Sequence, residues 1–193
     1  MDLAFAPIRR MEPAIIERLR VAFPPKTFGI ERVPQVLTLT EFKRIARLSP
    51  FIGLAWVGMR PDKDSGRALK GDMLWRLILV NKASNGLQAI FHGDKLGIGL
   101  DAMVDVATAL LHWASIDGTG KATVTGANSV IADGYTDEDV GIVQLDFSIS
   151  FVTSPADFSL VTIDNFLRLG VSWAVSDNPA SDGAESIVEP PEE

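Results

Sequence analysis

Residues 143–151, Val-Gln-Leu-Asp-Phe-Ser-Ile-Ser-Phe, alternate apolar and polar without a break. Successive side chains of a strand point to opposite faces, so this run specifies a strand with one buried and one wet face. A second segment carries the helical period: residues 101–114 place Met103, Val106, Ala107, Leu110, Leu111 and Ala114 on one face. Against this patterning stands a sparse chemical inventory of no cysteine, two histidines and one tyrosine. A chain rich in architecture and poor in reactive groups reads as a building block rather than an enzyme.

The remaining segments fill in an α/β pattern. Glu12 and Pro13 suit the first turn of a helix, where the missing proline N–H is no loss and an acid meets the positive end of the dipole. Ile15, Ile16, Leu19, Ala22 and Phe23 continue it as an apolar stripe, and Pro24-Pro25 stops it. Residues 30–38 read as a strand that Pro34 confines to a sheet edge. Thr40 is placed to cap a short helix over 41–48, which Pro50 ends. Residues 51–59 and 72–82 are apolar enough for central strands. Between them, residues 60–71 are too charged to pack and read as a projecting hairpin arm. Residues 83–99, with four glycines, read as a second long excursion. Two strands, 121–132 and 140–152, close the core around the acidic loop 133–139. The fold expected is α/β in the broad sense (α+β): a mixed or antiparallel sheet of four to five strands, two main helices on one face, and extended loops. Residues 1–156 would form this domain, 157–175 a small extension, and 176–193 an acidic tail with too little apolar surface to order.

Composition narrows the function. Without cysteine there is no thiolate metal site, disulfide framework or cysteine nucleophile. No segment holds the roughly 18 apolar residues that span a bilayer, and the first residues lack the basic-then-apolar order of a secretion signal. The net charge of −7 conceals an asymmetry: residues 1–82 carry 15 bases and 8 acids, and residues 83–193 carry 3 and 17. Folding can mix the two halves. The asymmetry also suits head-to-tail assembly, a basic face on one subunit meeting an acidic face on the next.

The candidate reactive motifs fail on inspection. Gly118-Thr-Gly-Lys121 resembles a phosphate loop, but Ser115 and Ala122 occupy positions that require Gly and Ser/Thr, and the loop follows a helix instead of a strand. His92 and His112 lie in different elements and form no ligand pair. Asp137-Glu138-Asp139 lacks the spaced oxygens of a calcium loop and reads as a solvated turn. Trp56, Trp75 and Trp113 fall in segments that look buried, so each reads as core. Catalytic, cofactor and metal residues are therefore all expected to be absent. One row stands out. Gln144, Asp146, Ser148 and Ser150 form the wet face of the closing strand. Plain solvent exposure explains them; a channel wall that lets a polyanion slide past without sticking is the alternative, since phosphate affinity comes from Lys and Arg.

Three stretches carry a family resemblance: Met-Glu-Pro-Ala-Ile-Ile-Glu-Arg-Leu-Arg (11–20), Gly-Leu-Asp-Ala-Met-Val-Asp-Val-Ala-Thr-Ala-Leu (99–110), and the acidic loop and alternating strand from Asp133 to Phe151. In their order they resemble the first helix, second main helix and closing hairpin of the tail terminator, or tail completion, proteins of Mu-like tailed bacteriophages. The resemblance does not cover 157–193. It implies a structural virion protein at the tail–neck junction, assembled in the host cytoplasm as a ring that is commonly hexameric. Such a ring caps the tail tube, ends its polymerisation, meets the neck or head-completion protein and, in contractile tails, the sheath, and lets DNA pass. On this expectation Arg60, Lys63, Arg67 and Lys70 of the arm meet Asp137, Glu138 and Asp139 of a neighbouring subunit, and Gln144, Asp146, Ser148 and Ser150 face the lumen. Another neck or tail-tube component, or a small non-viral α/β ligand-binding domain, are the alternatives.

Overall fold

A computed structural model describes residues 6–64, 66–95, 97–116, 119–130, 140–158, 170–172 and 185–187. The chain divides into two compact units, Pro7–Ser154 and a second made of Met1–Ala6 with Pro155–Glu193. In the first unit the elements run α1 (Pro7–Arg20), β1 (Gly29–Arg32), α2 (Leu39–Arg47), β2 (Phe51–Pro61), β3 (Lys70–Lys82), α3 (Leu87–His92), α4 (Leu100–Leu111), β4 (Ser115–Ile116), β5 (Gly120–Val130) and β6 (Val140–Val152).

The strands form one mixed sheet in the order β1-β2-β3-β6-β5-β4. Only β1 and β2 are parallel; the other neighbours are antiparallel. The sheet therefore has six strands, not four to five. The additional one, β4, is two residues long, too short for any period to register. The expected edge position of the first strand is correct, and β1 stops before Pro34.

β6 realises its alternation in full: Val143, Leu145, Phe147, Ile149 and Phe151 are buried. They join Ile52 and Leu54 of β2 and Met73, Trp75, Leu77 and Leu79 of β3 in one cluster with Met11, Ile15 and Leu19 of α1 and Leu100, Met103, Ala107 and Leu111 of α4. The two main helices thus share one face, as expected. Each large apolar side chain so buried contributes about 1.5–3 kcal/mol, so this layer dominates the stability of the unit. The opposite face has a smaller core, in which Phe42 and Ile45 of α2 pack on Val33, Phe51, Ala55, Ile78, Val80 and Ile142.

Several boundaries differ from expectation for local reasons. α1 begins at Pro7, so Pro13 lies inside it, not in its first turn. α2 is capped by Thr38, whose hydroxyl accepts from the Glu41 N–H at 3.2 Å, two residues before the expected Thr40. Residues 83–99 are not a free excursion. They hold α3, with Ala89 and Ile90 buried, and a bridge between Gly93 and Ile98. The buried Asn81 amide donates to the Ile90 and Ile98 carbonyls, 3.1 Å each, and fastens the segment to β3.

In the second unit, Pro155–Phe158 forms a single 3-10 turn, and β7 (Gly170–Ser172) pairs antiparallel with β8 (Glu185–Ile187). A strand thus lies within the segment read as an acidic tail.

Candidate interaction surfaces

The β2–β3 hairpin is the expected arm. The Asp62 N–H donates to the Lys70 carbonyl at 2.8 Å and closes its base. There Gly71 sits at φ +152°, and a Cβ at that position would collide with the Arg60 carbonyl, so the base admits no side chain. Arg60, Lys63, Arg67 and Lys70 are all exposed. The arm is not wholly unpacked, as its charge had suggested. Leu69 rests against the main core, and its carbonyl accepts the N–H and hydroxyl of Thr153 at 2.9 and 3.0 Å.

The register fixes where arm and acidic loop emerge. Lys70 pairs with Val152 at one end of the β3–β6 ladder and Lys82 with Val140 at the other. The arm leaves the first end; the connection from β5 to β6 starts at the second. At about 3.3 Å per residue, the thirteen residues of β3 separate these ends by about 40 Å. Asp137, Glu138 and Asp139 themselves lie outside the described residues.

The polar row of β6 occupies the face opposite α1 and α4. Ser150 is exposed, and Gln144, Asp146 and Ser148 are half-buried. The row is not a bare acidic wall. Asp146 lies opposite Arg76 of β3. The guanidinium donates twice, Nε to Oδ1 at 2.6 Å and Nη2 to Oδ2 at 3.0 Å. This bidentate bond, together with the carboxylate's charge, pushes the Arg76 pKa up against a smaller opposing effect of desolvation. The pair neutralises the centre of the face, leaving hydroxyls and an amide around it.

Beside the edge strand β1, Arg44 of α2 forms a second charge cluster. Its guanidinium donates to Glu41 at 2.8 Å and Glu31 at 2.9 Å. The bonds from Arg44 hold the Glu41 carboxyl below the usual glutamate range. On the edge strand β1, Arg32 pairs with Glu12 and lies 5.0 Å from the centre of the Trp75 ring.

Trp75 is buried and Trp56 half-buried, as a core reading requires, but Trp113 is 68% exposed. It lies past the last turn of α4 at φ +61°, a left-handed conformation that costs a bulky residue energy. Two hydrogen bonds hold it there. The Trp113 N–H donates to Ala122 O at 2.9 Å, and the Ala122 N–H to Ala114 O at 2.8 Å. The Lys121 ammonium lies 5.9 Å from the ring centre. One clue was legible beforehand: Trp113 lies within residues 101–114 but off the apolar stripe of Met103, Val106, Ala107, Leu110, Leu111 and Ala114.

Among the described residues, no group of three or more His, Asp or Glu side chains could hold a metal ion, and no helix is long and apolar enough to cross a membrane. His92 and Asp101 form one exposed pair at 3.0 Å. What the surface offers is a charged arm, a neutralised polar sheet face and one exposed tryptophan, the features of a recognition surface. No protein-family model matches the chain, and no curated protein matches it in sequence.

Proposed function

We propose that the chain is a structural subunit of a tailed-phage virion that assembles as a ring on the last ring of tail-tube protein, stops tube growth and presents a surface to the neck. The reading assigns no catalysis, cofactor or membrane contact. The resemblance of residues 11–20, 99–110 and 133–151 to the Mu-like tail terminator family motivates it, and the β2–β3 arm is the observation that carries it. A well-anchored hairpin with Lys63 and Arg67 exposed toward its tip and Arg60 and Lys70 exposed at its base suits contact with another molecule. Each exposed ion pair contributes only about 0–1 kcal/mol, so the arm acts through several at once, as repetition around a ring provides.

In this reading the polar face of β6 lines the lumen. With Asp146 neutralised by Arg76, the face offers a passing polyanion little net charge to attract or repel it. The test of the whole is capping: tail tubes grown with the chain present should stop at a defined length, and a variant with all four arm bases changed to Glu should lose this effect. Tubes of equal length with both proteins would contradict the proposal.

A further inference from the structure

The two short strands of the sheet leave its margins half open. β1 covers β2 only from Phe51 to Leu54, extended by the Val33 N–H to Leu54 O. β4 covers β5 only at Gly120 and Lys121, extended by the bonds from 112–114 to Ala122 and Val124. Among the described residues, no hydrogen bond reaches the outer edge of β2 from Ala55 to Pro61, or that of β5 from Thr125 to Val130. Thr125, Ala127, Asn128 and Ser129 are exposed. Open edges are normally protected by lysine, proline, an inward charge or a β-bulge. The β5 segment, Thr-Gly-Ala-Asn-Ser-Val, has no lysine, proline or charge, and its irregularity at Val124/Gly126 lies at its start; the β2 segment has an irregularity at Trp56/Gly58, with Arg60 and Pro61 at its far end.

We propose that these edges are the two halves of one head-to-tail contact, the open part of β2 in one copy pairing with the open part of β5 in the next. The inference deepens the ring reading by naming its contact, and depends on that reading only for the biological setting. Three features select a second copy as the occupant. First, β2 and β5 run in opposite directions within the sheet, so a copy in the same orientation continues the sheet by antiparallel pairing. Second, the open parts are complementary in position. Met59 is level with Met73 and thus with Ile149, whereas Ala127 is level with Leu145. An offset of about four residues, about 13 Å, brings Met59 opposite Ala127 with both side chains on the helix-covered face. At the same offset β1 and the neighbour's β4 do not compete for the same edge. Third, this offset carries the neighbour's 113–114 segment to the base of the arm, where the exposed Trp113 can lie against Arg60 and Pro61. Edges at opposite margins of one sheet give a heterologous contact, which can close into a ring of staggered strands.

The absence of cysteine makes the test direct. The Met59→Cys, Ala127→Cys double variant, oxidised at high protein concentration, should give a ladder of covalent dimers, trimers and higher species. An equal mixture of the two single variants should stop at dimers, and each single variant alone should stay monomeric. An Ala127→Lys, Ser129→Lys variant should keep the wild-type melting temperature yet fail to assemble. A double-cysteine variant that remains monomeric, or single variants that cross-link to themselves, would overturn the pairing. A ladder from a protein that never caps tail tubes would leave the pairing standing and remove the tail reading; capping without cross-links would do the reverse.

Discussion

Arg76 and Asp146 face each other across the β3–β6 ladder and join through two hydrogen bonds, 2.6 and 3.0 Å long. Both side chains are less than a third exposed, so the pair lies between the weak surface kind and the costly buried kind. Asp146→Ala should destabilise the domain by about 1–2 kcal/mol, by stranding a half-buried guanidinium. Combining it with Arg76→Met should recover part of that loss. Urea midpoints of the two single variants and the double variant check this; strictly additive losses would show that the pair is not coupled.

The Asn81 amide satisfies two carbonyls, Ile90 and Ile98, from a site only 7% exposed. Asn81→Leu should cost about 1–3 kcal/mol, because both carbonyls lose their donor inside the fold. Hydrogen exchange should then quicken in residues 87–98 before it changes in β6. Uniform acceleration across the sheet would mean that Asn81 supports the whole core and not this segment alone.

Glu41 is held below the usual glutamate range chiefly by its hydrogen bond from Arg44. Because its folded pKa lies below its unfolded one, its contribution to stability is present above the unfolded value. It is lost as pH falls through the folded one. A carbon-detected NMR titration should place the Glu41 midpoint below that of an unpaired glutamate, and Arg44→Met should raise it into the ordinary range. An unmoved midpoint would separate Glu41 from Arg44.

The Arg76–Asp146 pair also dictates how the lumen assignment is tested. Replacing Asp146 by Lys would set two cations side by side and confuse conduction with stability. Ser148→Lys with Ser150→Lys leaves the pair intact. In assembled particles it should slow DNA ejection, most strongly at low salt, since each lysine can hold a phosphate. Unchanged ejection at low salt would move these side chains away from the DNA path.

How much of this was legible depended on length and on register. β6 was readable because one face is buried along its whole run, so Val143 through Phe151 had to alternate. α3 was not, because six residues between Gly86 and Gly93, both at positive φ, are too few for a helical period to show. Pro13 looked like a helix start, since proline favours that position; Pro7 supplies the same signal six residues earlier. Trp113 continues the apolar run of α4 in sequence, but the helix ends at Leu111 and the turn throws the ring outward. The polar row was visible, and its neutralisation was not. Arg76 and Asp146 are 70 residues apart, and only the pairing of β3 with β6 sets them opposite.

Cryo-electron microscopy of tail tubes polymerised with the purified chain shows whether the chain caps them. A single ring of this chain should sit at one end of each tube, and tubes should grow no further once it is in place. Tubes that lengthen to the same extent with and without the chain, and carry no added ring, would contradict the capping.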